Sequence, residues 1–188
     1  MVRPQTRRRV TMERALREAI DNDGLSVVYQ PIFDIEFDRV VAFEALARWH
    51  DATLGPMAPD EFIALAEDAG LITAIGDRVL EIACRDASTW LAVAGRPIDL
   101  HFNVSSRQLS ASTFVNFLGR VLKHHHLAPE NLTLELTESM FLDNPERSEN
   151  RLNALRDIGV QIAIDDFGTL RRLPLHRTTC QRKHSTFA

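Results

Sequence analysis

The stretch LTLELTESMFLDNPERSENRLNALRDIGVQIAIDD, residues 132–166, decides the fold. Residues 132–138 alternate leucine with threonine and glutamate, the period-two pattern of a strand with two unlike faces. Asn144 then precedes Pro145. This places an N-cap residue before the one residue whose missing N–H costs nothing in a first helical turn. Apolar spacing carries that helix to about Ile158, and Gly159 stops it. Residues 160–164 (VQIAI) are short and apolar and run into the Asp165-Asp166 pair. Strand, helix, strand predicts a parallel βα unit.

The same rhythm extends toward the N-terminus. Residues 98–104 (IDLHFNV) predict a strand and residues 112–126 a helix. Residues 60–69 and 75–94 carry apolar side chains at helical spacing: Phe62, Ile63, Leu65 and Ala66, then Val79, Leu80, Ile82, Ala83, Trp90 and Leu91. Earlier still, residues 25–35 (LSVVYQPIFDI) and 39–49 (RVVAFEALARW) are β-branched and aromatic, with Pro31 interrupting the first. The three residues between them predict an antiparallel hairpin. Residues 11–22 predict an amphipathic helix capped by Thr11, with Met12, Ala15, Leu16, Ala19 and Ile20 on its apolar face.

At 188 residues the chain is long enough for one domain with a core, and 45% hydrophobic with 26% charged residues excludes a disordered protein. No window of 18 uninterrupted apolar residues occurs, so no membrane span is expected. The basic N-terminus has no apolar stretch behind it and does not read as a secretory signal. Cys84 and Cys180 form neither a disulfide framework nor a metal-ligand spacing, which predicts a cytoplasmic protein with reduced thiols. The net charge of −4 is uneven. Residues 170–188 hold five basic residues and no acidic one, leaving 17 basic against 26 acidic residues, −9, for residues 1–169.

Glu44, Asn103, Glu135 and the Asp165-Asp166 pair all fall at or near the C-terminal ends of predicted strands. Singly they are ordinary: Asn103 as a turn or cap residue, Glu135 as a solvent-facing strand residue, Asp165-Asp166-Phe167-Gly168 as a turn. In a (β/α) barrel, however, strand ends share the rim where active sites are built. Oxygen donors in that number suit Mg²⁺ or Mn²⁺ better than zinc. They also suit two-metal hydrolysis of a phosphodiester, with the metals about 3.5–4 Å apart.

Six segments together resemble the EAL-domain family of cyclic-di-GMP phosphodiesterases. They are Tyr29-Gln30-Pro31-Ile32, Glu44-Ala45-Leu46-Ala47-Arg48-Trp49, Pro59-Asp60-Glu61-Phe62-Ile63 through Ala66-Glu67, Phe102-Asn103-Val104-Ser105, Leu134-Glu135-Leu136-Thr137-Glu138 and Ile164-Asp165-Asp166-Phe167-Gly168-Thr169. The resemblance implies an α/β fold, a modified (β/α)8 barrel with an antiparallel first strand, of which about five of the eight strands are expected here. It implies that Glu44, Asn103, Glu135 and Asp165 are metal ligands for Mg²⁺ or Mn²⁺, and that Asp166 serves a second metal. Glu44 and Asp166 would be catalytic, and Gln30, Leu46 and Arg48 would contact cyclic-di-GMP. The reaction implied is hydrolysis of one phosphodiester to give linear pGpG.

The resemblance fails after Thr169. The family's Gly-Tyr-Ser-Ser-Leu-like loop is missing, and Leu170-Arg171-Arg172-Leu173-Pro174-Leu175 resembles the segment that follows that loop. Residues 176–188 (HRTTCQRKHSTFA) show no strand periodicity, and nothing around Lys183 matches the family's catalytic lysine motif. The expected organisation is a disordered basic N-terminus (1–10), a truncated EAL domain (11–169) and an aberrant basic tail (170–188). Catalytic activity is expected to be lost. The alternatives are a non-catalytic cyclic-di-GMP-binding signalling protein and a non-functional fragment. Besides cyclic-di-GMP, the partners considered are a second copy of the chain, as a homo-oligomer, and an upstream signalling partner. The tail lacks interleaved aromatics, so no nucleic-acid polymer is expected as a partner. Adjacent His124, His125 and His126 point in different directions on a helix and read as a solvated terminus, not a metal site.

Overall fold

A computed structural model describes residues 4–137, 140 and 145–165. The aberrant tail, Asp166 and Lys183 lie outside the described residues. The two N-terminal strands form the expected hairpin: β1 (Leu25–Asp34) pairs antiparallel with β2 (Arg39–Asp51), from Leu25 opposite Trp49 to Asp34 opposite Arg39. Asp34 closes the turn, its Oδ1 accepting from the backbone N–H groups of Glu36 and Phe37 at 3.0 and 3.3 Å. This is an Asx turn. Pro31 does not interrupt β1. It sits opposite Phe43, beside a register shift at Ile32/Phe33, on a strand that is an edge among the described residues. An edge is where a strand tolerates a residue without an N–H.

The βα reading also holds. Strands β4 (Asp99–Asn103), β5 (Leu132–Thr137) and β6 (Gln161–Asp165) follow β2 in parallel, in the order β1-β2-β4-β5-β6. Short β3 (Gly55–Met57), absent from the sequence reading, pairs antiparallel with the last three residues of β2. The result is a partial, six-stranded barrel sheet with an antiparallel first strand.

Helices line one side of this sheet: α1 (Pro4–Asp21), α2 (Pro59–Ala69), α3 (Ile72–Ala87), α4 (Trp90–Ala94), α5 (Ser106–Ser110), α6 (Phe114–His125) and α7 (Pro145–Ile158). One predicted helix, 75–94, is divided. Between α3 and α4, Ser88 Oγ and Thr89 Oγ1 donate to the carbonyls of Arg85 and Asp86, both at 2.7 Å. Such side-chain bonds compete with the helical ladder. The helix predicted at 112–126 is α6, Phe114–His125, and the single turn α5 before it is absent from the sequence reading. Helix α1 begins at Pro4, so residues 4–10 are helical where a disordered N-terminus was expected. Ion pairs Arg8–Glu61 (2.8 Å) and Arg9–Asp68 (2.7 Å) join its start to α2. Both are exposed and contribute little each. Burial of Met12, Leu16 and Ala19 is what docks the helix.

The core lies between helices and sheet. Leu100, Leu132, Leu134 and Leu136 point into it from the strands, Phe62, Leu80 and Leu118 from the helices, and all are essentially inaccessible to water. Each such side chain stabilises the fold by about 1.5–3 kcal/mol of transfer free energy. Because strand side chains alternate, filling one sheet face with leucine leaves the other for polar groups.

Candidate active site

That second face carries the site. On β2, Ala45 and Trp49 are buried toward the helices, so Glu44, Leu46 and Arg48 project from the opposite side. Gln30 of β1 pairs directly across from Glu44, and Val28 across from Leu46. On β4, Leu100 and Phe102 enter the core, which puts His101 and Asn103 on the site face. On β5 the leucines at 132, 134 and 136 do the same for Thr133 and Glu135.

Two side-chain contacts tie three strands together. Asn103 Nδ2 donates to Glu44 Oε1 at 2.8 Å, spanning β2 and β4. His101 Nδ1 lies 2.7 Å from Glu135 Oε1, spanning β4 and β5. A carboxylate only accepts, so Nδ1 is assigned the hydrogen. The backbone register places His101 beside both Glu44 and Thr133, and Asn103 beside Glu135. Glu44, His101, Asn103 and Glu135 thus form a compact quadrilateral of polar side chains. Glu135 is only 3% exposed, and His101 is largely buried. Asn103, by contrast, opens to solvent.

One expectation needs correcting. Asn103 and Asp165 are the last residues of β4 and β6, and Glu135 is near the end of β5. Glu44, however, is in the middle of β2, not at its end. β2 runs on to Asp51 because β1 pairs along its length and β3 pairs with its last residues. Glu44 is nevertheless close to the rim, since it pairs with His101, two residues before β4 ends at Asn103. The backbone of Asp165 stands in register with Thr137, one strand beyond Glu135. Gln30 is exposed, Leu46 half-buried, and Arg48 half-buried with Nη1 donating to the carbonyl of Ala47 at 2.8 Å.

Among the described residues no three acidic, histidine or cysteine side chains converge as a metal cage. What the site face offers is two carboxylates, Glu44 and Glu135, with the Asn103 amide between them. That donor chemistry is compatible with a hard divalent cation such as Mg²⁺ or Mn²⁺.

The sequence reading assigned no role to three residues that organise the rim. His101 was passed over as part of an apolar strand. Ser105 caps α5, its Oγ accepting from the N–H of Gln108 at 3.1 Å, and so fixes how the chain leaves Asn103. Gln108 is 1% exposed and donates through Nε2 to Asp77 Oδ1 at 2.8 Å, locking α5 onto α3. The Ser-x-x-Gln spacing of residues 105–108 was the available signal for a capped helix start. The histidine run ends α6 as expected: the His124 and His125 rings meet edge-on at 4.7 Å, and His126 (φ 54°) closes the helix in the left-handed region.

The chain belongs to the EAL domain family, whose model matches residues 13–172. Signaling protein YkoW of Bacillus subtilis is 36% identical over 178 residues, covering 90% of this chain and 22% of the relative. Cyclic di-GMP phosphodiesterase NbdA of Pseudomonas aeruginosa is 37% identical over 171 residues, covering 87% of this chain and 22% of the relative. Among solved structures, the PaMucR phosphodiesterase in complex with c-di-GMP superposes with a TM-score of 0.81 at 34% identity, covering 87% of this chain and 66% of that one. The chain therefore spans about a fifth of the length of these curated relatives.

Proposed function

We propose that the site face binds cyclic-di-GMP and is a metal-dependent phosphodiesterase centre of the EAL type with impaired turnover. The Asn103–Glu44 hydrogen bond, set beside Glu135, carries this reading: three oxygen-bearing residues from three strands meet at one rim. Glu44, Asn103, Glu135 and Asp165 would hold Mg²⁺ or Mn²⁺, and Asp166 a second ion. When bound, such ions make a nucleophile of water near neutral pH and stabilise charge on phosphoryl oxygens. Gln30, Leu46 and Arg48 lie along the same face and would contact the dinucleotide, with Arg48 offering a planar guanidinium to a phosphate or a guanine edge. Glu44 and Asp166 would be the catalytic carboxylates. Impaired turnover rests on the sequence after Thr169, from which the family's loop is missing. Groups that act as a unit lose most of their effect when one is missing.

A purely binding role for the same surface is the second reading, favoured by Gln30, Leu46 and Arg48, which need no metal. The relatives' much greater length supports an upstream signalling partner, and a homo-oligomer belongs to the same proposal. Among the described residues no helix is long and apolar enough to cross a membrane. Buried, unbridged Cys84 supports a reducing, cytoplasmic setting. The test is pGpG release from cyclic-di-GMP with Mg²⁺ or Mn²⁺, alongside calorimetric binding. Binding with weak or absent release is expected. Robust release abolished by Glu44→Ala would overturn the impairment, and absence of both binding and release would overturn the whole reading.

A further inference from the structure

Glu135 is an acidic side chain that the fold almost completely removes from water. Burying a carboxylate is costly unless a donor meets it. His101 supplies one, with Nδ1 at 2.7 Å from Oε1. The histidine reaches Glu135 from the neighbouring strand, two residues before Asn103 and in register with Glu44. Both ends of the contact are on regular strands, so the geometry is set by the sheet and not by a loop. With Asn103 holding Glu44 in the same way at 2.8 Å, each of the two carboxylates has its rotamer fixed by a partner on β4.

We infer that His101 is a positioning residue for the metal site: its Nδ1–H fixes the Glu135 carboxylate in the orientation that receives the cation. This rests on the metal-centre reading above. Outer partners that orient ligating groups typically change metal affinity by about 10–100-fold when removed. A bland alternative is that His101 merely satisfies a buried acid. The two differ in what they predict for metal binding by folded protein.

The test uses the full chain, with Mn²⁺ affinity read from the electron paramagnetic resonance signal of free Mn²⁺. His101→Leu removes the donor at similar bulk, and His101→Asn returns an amide nitrogen at the δ position. Mn²⁺ binding is expected to weaken by about 10–100-fold in His101→Leu and to recover to within about threefold in His101→Asn. Equal affinity in His101→Leu and the unaltered chain, with a lowered melting temperature, would show a structural role only and overturn the inference. Failure of His101→Leu to fold leaves a second measurement on unaltered protein labelled with ¹⁵N-histidine. The His101 Nδ1 resonance is expected to be that of a protonated nitrogen and to move on adding Mg²⁺. A resonance indifferent to Mg²⁺ at concentrations that saturate the Mn²⁺-competing site overturns the inference. If the unaltered chain shows no Mn²⁺ binding sensitive to Glu135→Gln, the metal-centre reading itself falls and takes this inference with it.

Discussion

Replacing Gly76 by alanine should weaken the fold even though alanine is the better helix former. Gly76 lies inside α3, and a Cβ built there comes within 2.4 Å of Gln108 Oε1 and 2.8 Å of Gln108 Cδ. Gln108 would have to swing away, yet it is 1% exposed and bonded to Asp77 at 2.8 Å. Overpacking of this kind costs about 1–3 kcal/mol. The lost hydrogen bond adds about 1 kcal/mol, below the usual range for bonds to charged groups because Asp77 is only half-buried. Helix propensity returns about 1 kcal/mol. The net expectation is a loss of about 1–3 kcal/mol in urea denaturation, read as a lower midpoint at unchanged slope. In a Gln108→Ala background the obstruction is gone, and Gly76→Ala should then stabilise by about 1 kcal/mol. The two changes therefore couple by about 2–4 kcal/mol, well outside additivity. Additive effects within about 0.5 kcal/mol, or a stabilising Gly76→Ala in the unaltered chain, would refute the packing argument.

The pH dependence of stability should carry a mark of Asp77. Burial holds its carboxyl above the ordinary carboxylate range, against the opposing pull of the Gln108 N–H. The folded state then keeps its proton longer than the unfolded chain, so the associated stability is complete below the unfolded value and is lost as pH rises through the folded one. Denaturant midpoints of Asp77→Asn should accordingly fall less than those of the unaltered chain across the window just above the ordinary carboxylate range. A steeper fall in the variant would contradict the burial assignment. Cys84 is buried, which pushes its thiol up to about 12. In a Cys180→Ser background, a thiol reagent at pH 8 should label Cys84 only upon denaturation. Rapid labelling of native protein would show that the α3 core opens.

Where apolar periodicity was strong, the sequence was a sufficient guide. Leu132, Leu134 and Leu136 alternate with polar residues, and their burial puts Glu135 on the opposite face of β5. Asn144-Pro145 and Gly159 bounded a helix that the structure places at Pro145–Ile158. The division between α3 and α4 and the single capped turn α5 were harder to see. They depend on hydroxyls choosing a carbonyl or an N–H, which apolar spacing does not register. The central position of Glu44 in β2 was likewise illegible, since it follows from β1 and β3 pairing along the strand, a property of distant segments. His101 escaped notice for a related reason. Its role exists only through Glu135, 34 residues away on the next strand.

Calorimetric titration of cyclic-di-GMP into the full chain with Mg²⁺ tests the nucleotide-site reading most directly. Binding at about micromolar affinity, roughly −8 kcal/mol, is expected, weakened at least about tenfold by Arg48→Ala. No heat of binding up to about 100 µM nucleotide, or binding indifferent to both Arg48→Ala and Gln30→Ala, would contradict a dinucleotide site on this face of the sheet.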